Sequence, residues 1–275
     1  MDLSAPPVVV ESTEAEISDL YAEGSVIDCH GLFANESVIL KAGTSSALGI
    51  KRKDRIHQVR NSQAFGVKGR NAEQKFALQL LLDDSVPIVS LGGLAGTGKS
   101  VLALAAGIDA VIESRKFKKI VVFRPLFPVG GQELGFLPGD FAEKMDPWAQ
   151  ATWDAIESFC NKNVIDHIVD SEVLEILPLT HLRGRTISDA FIIIDEAQNL
   201  DMTTLVTALS RVGEGTKVVL THDVNQRDNS SVGRADGILA VTERLMGHEL
   251  FAHITLNKVE RSPVARLISE LFNDL

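Results

Sequence analysis

The sequence predicts an α/β protein, a parallel sheet covered by helices on both faces, preceded by a small β-rich module. Three observations predict it. From residue 70 onward, short and almost wholly apolar runs alternate with helical patterns, as strands buried on both faces do. The first run leads into a glycine-rich turn followed at once by an alanine- and leucine-rich helix. Residues 1–60 look different, with short β-branched pieces separated by glycine and serine turns.

In chain order, Val8-Val9-Val10, Ser25-Val26-Ile27 and Ser37-Val38-Ile39-Leu40 read as strands, with a short helix over 13–21 capped by Ser12 or Thr13. Residues 72–82 form an amphipathic helix, and Pro87 precedes the first buried strand, 88–91. A helix follows over 101–112. A second strand, 119–123, stops at Arg124-Pro125. Glycine and proline through 128–147 predict a long loop, and 148–160 a helix. Strands are expected at 190–194, 217–220 and 252–256, with a terminal helix from Pro263. This gives a small β-rich module over 1–60 and an α/β domain over 61–275.

Composition narrows the class. The chain has 275 residues, 45% of them apolar, and only Cys29 and Cys160, far apart and outside metal-ligand spacing. A reducing compartment is expected, the cytoplasm, with no disulfide framework. The first residues lack a basic-then-apolar leader, and no apolar stretch is long enough to span a membrane. The formal net charge of −10 argues against a general nucleic-acid coat. Its distribution is uneven, because residues 1–49 are strongly acidic while 50–75 carry eight Lys/Arg, among them Lys51, Arg52, Arg60 and Arg70. Such a band suits a polyanion in one groove, or equally a solvated linker.

The glycine-rich turn carries the chemistry. Gly93-Leu94-Ala95-Gly96-Thr97-Gly98-Lys99-Ser100 fits G-x-x-x-x-G-K-[ST], between a strand and a helix as the pattern requires. Glycines let successive N–H groups turn around phosphate oxygens, and the helix N-terminus, from Val101, adds partial positive charge. Lys99 is placed to reach β/γ-phosphates and Ser100 to hold Mg²⁺. The strand at 190–194 ends in Asp195-Glu196, in the position of the metal-linked aspartate and the glutamate that polarises attacking water. The next strand ends in Thr221-His222-Asp223-Val224-Asn225-Gln226, where Gln226, or Thr221 and Asp223, would face the γ-phosphate. The class this defines is a RecA-like P-loop ATPase with ATP and Mg²⁺ as cofactors.

The run Asp195-Glu196-Ala197-Gln198-Asn199, the Thr-x-Asp-x-x-Gln segment, Arg124-Pro125, residues 134–140 and Arg183-Gly184-Arg185-Thr186 closely resemble the PhoH-like family. These P-loop ATPases are related to superfamily 1 helicases, and the resemblance covers about residues 68–275. It is greatest to the ATPase portion of long members in which a PIN ribonuclease domain precedes PhoH. No PIN segment is recognised in these residues, and 1–60 would correspond to the joining region. The resemblance implies ATP-dependent RNA unwinding, single-stranded RNA as partner, Gln74 as adenine reader and Gln226 as γ-phosphate sensor. His222 departs from the pattern, since related helicases carry glycine there.

Those helicases complete the site with an arginine from a second lobe, for which this sequence has too few residues. A hexameric ring is therefore expected, a neighbouring subunit supplying Arg261, with Arg234 and Arg185 as rivals. Residues 128–140 with Arg183 and Arg185 are candidates for touching RNA phosphates, whereas Phe127, Phe136 and Trp148 read as core. A GTPase is disfavoured because Asn257-Lys258-Val259-Glu260 ends in Glu rather than Asp. A small-molecule kinase lacks a convincing arginine-rich lid. The main alternative is an ATP-gated nucleic-acid-binding or assembly switch without unwinding activity.

Overall fold

The computed structural model describes residues 6–125, 141–182, 184–223, 225–226 and 236–260, with the backbone alone for 141–148. Its first part is a five-stranded sheet of β1 (Val8–Glu11), β2 (Ser25–Ile27), β3 (Ser37–Ala42), β4 (Ser45–Arg52) and β5 (Arg55–Gln58), in the order β1-β3-β4-β5-β2. Helix α1 (Glu14–Glu23) packs on it, its first turn capped by the Thr13 hydroxyl, which accepts from Glu16 N–H. A two-stranded ribbon, β6 (Gln63–Ala64) and β7 (Val67–Lys68), leads to α2 (Ala72–Leu82), which Asn71 caps.

The main sheet has six strands, all parallel: β8 (Ile88–Gly93), β9 (Lys119–Arg124), β10 (Leu174–Pro178), β11 (Ala190–Ile194), β12 (Lys217–Thr221) and β13 (Phe251–Leu256). Their order is β10-β9-β11-β12-β8-β13. Strand β12 thus separates the strand leading into the glycine-rich turn from the strand ending at Asp195. Helices α2 and α3 (Lys99–Ile108) cover one face, through Phe76, Leu78, Leu102 and Phe191. Helices α6 (Met202–Leu209) and α7 (Gly237–Leu245) cover the other, through Phe123, Ile194, Leu205 and Ile238. No described helix is long and apolar enough to cross a membrane.

Three elements of the α/β part correct the sequence reading. Residues 141–147, expected in a loop, begin helix α4 (Phe141–Glu157). Pro147 lacks an N–H and ordinarily interrupts a helix, which is why the sequence placed the start after it. Helix α5 (Lys162–Asp170) and edge strand β10 were not expected at all. Strand β10 reads poorly because Glu175, paired with Lys119 at 2.5 Å, and Pro178 interrupt its apolar run. The expected loop over 128–140 and the terminal helix from Pro263 lie outside the described residues.

The change of architecture near residue 60 is not a break in the core. Ile50 of β4 is buried in the same cluster as Phe76 and Leu91. Asn35, buried and left-handed at φ 62°, donates its amide to the Glu249 and Phe251 carbonyls at 2.8 and 2.7 Å and accepts from Arg52. Arg52 in turn grips Asp83 at 2.6 Å. Asn35→Ala is expected to lower stability by about 2 kcal/mol, since it strips the buried Phe251 carbonyl of its amide donor and Arg52 of one of its acceptors. Urea unfolding followed by far-UV circular dichroism checks this, and an unchanged midpoint would contradict it.

The basic band is partly internal. Lys51 pairs with Asp28, Arg52 with Asp83, and Arg55 donates to Ser25 at 2.9 Å. Arg60, Lys68 and Arg70 are exposed.

Candidate nucleotide site

The parallel sheet delivers three strand ends to one edge, and the site is built there. Strand β8 runs into the P-loop at Gly93, whose φ of 127° and close approach to Leu256 admit no side chain, because an added Cβ would stand 2.0 Å from the Leu256 carbonyl oxygen. Gly98, left-handed at φ 94°, opens α3 without a side-chain cap. The first N–H groups of that helix therefore point into the loop, as an anion site requires. Thr97 is fully buried and ties its hydroxyl to the Leu94 carbonyl at 2.8 Å. Lys99 donates to the Gly93 and Leu94 carbonyls at 2.6 and 2.8 Å.

One pocket of about 260 Å³ is lined by Ala95, Gly96, Gly98, Lys99, Ser100 and Val101 from the P-loop side, and by Asp195, Glu196, Thr221, His222, Asp223 and Gln226 opposite. Ser100 donates to Asp195 at 3.3 Å, and the Thr221 hydroxyl reaches the same carboxylate oxygen. This hydroxyl and carboxylate pair is an all-oxygen donor set, which suits Mg²⁺.

Glu196 stands one residue beyond, left-handed at φ 55°. That conformation is uncommon outside glycine and concentrates where function over-determines the backbone. Burial and the adjacent Asp195 carboxylate raise its pKa, while the Gln198 amide, Arg124 and Lys99 oppose the rise. A base at Glu196 would act in its ionised form, so turnover would be lost as pH falls through the raised value. The acid limb of kcat/KM, which reports the free protein, is then expected above the ordinary glutamate value of 4.5. A pH–rate profile measures it, and full activity persisting below that value would contradict the assignment.

Sequence reasoning passed over two residues here. Gln198 is fully buried, donates to Glu196 at 2.5 Å and to the Gln226 carbonyl at 2.9 Å, and accepts from Asp223 N–H at 3.1 Å. It therefore ties the Glu196 carboxylate to the turn after β12. Arg124, at the end of β9, lies 3.3 Å from Asp195 and 4.0 Å from Glu196. A signal existed for each, since Gln198 sits within the Asp-Glu-Ala-Gln run and Arg124 follows an apolar strand.

Gln74, expected to read adenine, lies against the P-loop. Its amide N–H donates to the Thr97 carbonyl at 2.9 Å, and its oxygen accepts from Arg70 N–H at 2.9 Å. The side chain is buried and does not line the pocket. Each end of the amide makes one of its two possible hydrogen bonds to the chain, so Gln74 braces the P-loop. Glu73 similarly accepts from Asn257 and Lys258 N–H, and Glu260 N–H donates to Gly96. Leu94 and Gly93 belong to the loop but not to the pocket wall. Arg185 is exposed, while Arg261, Arg234 and Arg183 lie outside the described residues.

A P-loop at the end of one parallel strand, facing an Asp-Glu pair at the end of another, defines the class as a P-loop nucleotide-binding fold. The chain belongs to the PhoH-like protein family, whose pattern matches residues 66–273. It is 52% identical over 264 residues to "Protein PhoH2" of Mycolicibacterium smegmatis, which covers 94% of this chain and 60% of that protein. A "Protein PhoH2" of Thermobispora bispora is 50% identical over 270 residues, with 97% of this chain and 62% of that protein covered. The chain thus spans about three-fifths of the length of these relatives. Among solved structures, the Pif1 helicase from Candida albicans aligns with 20% identity and a TM-score of 0.39, over 74% of this chain and 43% of its own.

Proposed function

We propose that the protein is a Mg²⁺-dependent ATPase whose turnover drives movement along, or unwinding of, RNA. The observation that carries the hydrolytic part is the convergence of Lys99, Ser100, Asp195, Glu196 and Gln226 on one pocket. In this reading the P-loop N–H groups and Lys99 hold the β- and γ-phosphates. Ser100 and Asp195 hold Mg²⁺, which when bound neutralises phosphate charge. Glu196 orients a water against the γ-phosphorus and accepts its proton, while the bond to the β-phosphate oxygen breaks and ADP leaves with the electron pair. Gln226 and Asp223 face the γ-phosphate, positioned through Gln198.

RNA as the track is supported by the PhoH resemblance, with exposed Arg60, Lys68, Arg70 and Arg185 as available phosphate contacts. A ring of subunits, with Arg261 acting in trans, remains part of the proposal. Sedimentation with and without ATP tests it, a monomer under both conditions speaking against a ring. The decisive experiment on function is strand separation of an RNA duplex with a single-stranded tail. ATP-dependent separation that Glu196→Gln abolishes is expected. ATP-dependent RNA binding without separation would move the reading to a nucleotide-gated switch.

A further inference from the structure

His222 is the residue that departs from the helicase pattern, and its surroundings give that departure a purpose. The ring is buried at the end of β12, and its Nε2 lies 3.0 Å from the Ser90 hydroxyl of β8. The same hydroxyl lies 3.0 Å from Nδ1 of His253 on β13, and Nε2 of His253 lies 3.0 Å from the Thr255 hydroxyl. The two imidazoles stack, 5.7 Å between centroids and 17° apart. Gly92 leaves them room, since a Cβ there would stand 2.8 Å from His222 and 3.2 Å from His253.

A hydroxyl offers one donor and two acceptor sites, so Ser90 can bridge the two rings whichever of their facing nitrogens carries a proton. Either way His222 is held by its ring to β8, the strand that enters the P-loop, and its backbone N–H adds a bond to the Leu91 carbonyl at 3.0 Å. Its neighbours complete the picture. Thr221 binds Asp195, and Asp223 N–H binds Gln198, which holds Glu196.

We infer that His222 is a positioning residue for nucleotide hydrolysis, its ring clamped through Ser90 and His253 so that the turn after β12 stays in register with the P-loop. This rests on the hydrolytic reading above. Displacing residue 222 moves the supports of Asp195 and Glu196 together, while the P-loop contacts that bind the phosphates are left in place. The expected signature is a fall in kcat with little change in KM.

The test compares steady-state ATP turnover of the full chain with that of Ser90→Ala, His222→Gly, His222→Gln and the Ser90→Ala/His222→Gly pair. His222→Gly is expected to lower kcat about tenfold or more, the scale of a small misplacement of reacting groups. KM should stay within about threefold, and Ser90→Ala should show a smaller loss of the same kind. The double variant should be no worse than His222→Gly, as residues acting through one network are non-additive. Glutamine, whose amide serves Ser90 in either direction, should restore most of the rate. Should His222→Gly fail to fold, Ser90→Ala and His222→Gln carry the comparison. Unchanged kcat in Ser90→Ala and His222→Gly, or losses of kcat that track a lowered melting temperature, would overturn the inference. A wild-type protein without turnover would instead remove the hydrolytic reading itself.

Discussion

Glu196→Gln is expected to reduce ATP turnover by about 100-fold or more, the scale of losing a positioned general base, while ATP still binds. Glutamine keeps the shape of the side chain and retains an oxygen to accept from Gln198, which lies 2.5 Å from Glu196. What it removes is the capacity to take a proton from water. It also removes a negative charge beside Asp195, the neighbour that helps raise the pKa of Glu196. Stability should therefore hold or rise slightly. Steady-state turnover paired with titration of a fluorescent ATP analogue measures both halves. Turnover within a few-fold of wild type would place the base elsewhere.

Lys99→Ala is expected to act at the other half of the cycle and weaken ATP binding by about 100-fold, equivalent to about 3 kcal/mol for charged hydrogen bonds to phosphate. The ammonium lies within the loop, bonded to the carbonyls of Gly93 and Leu94. It is therefore already gathered toward the position that phosphate oxygens would take. Alanine leaves the glycine geometry and the start of α3 intact, so the fold should survive. Calorimetric titration with a non-hydrolysable ATP analogue separates the two variants. Glu196→Gln should bind and not turn over, and Lys99→Ala should not bind at the same concentrations. Equal affinity of Lys99→Ala and wild type would mean that the phosphates sit somewhere other than the P-loop.

The legible parts of the sequence were those whose signal is local. The alternation of apolar runs and helices revealed five of the six parallel strands, because buried parallel strands carry continuous apolar sequence. The P-loop announced itself because phosphate binding by backbone N–H groups demands glycine at fixed spacing. What stayed hidden depends on non-local packing. Strand β10 borrows its place from pairing with β9, so Glu175 needed Lys119 across the ladder to make sense. The position of Gln74 near the P-loop was legible, while the direction of its amide depends on Thr97, 23 residues away. Similarly, nothing local in Thr221-His222-Asp223 shows that Ser90 and His253, from two other strands, would clamp the histidine. The basic band was visible as charge, yet Asp28 and Asp83 decide that two of its members are internal.

The measurement that tests the central claim most directly is ATP turnover by the full chain, with Mg²⁺ or with excess chelator, in the presence and absence of single-stranded RNA. Mg²⁺-dependent hydrolysis that RNA stimulates and that Glu196→Gln abolishes is expected. Hydrolysis indifferent to RNA would contradict the coupling, and turnover that survives both chelation and Glu196→Gln would contradict the site.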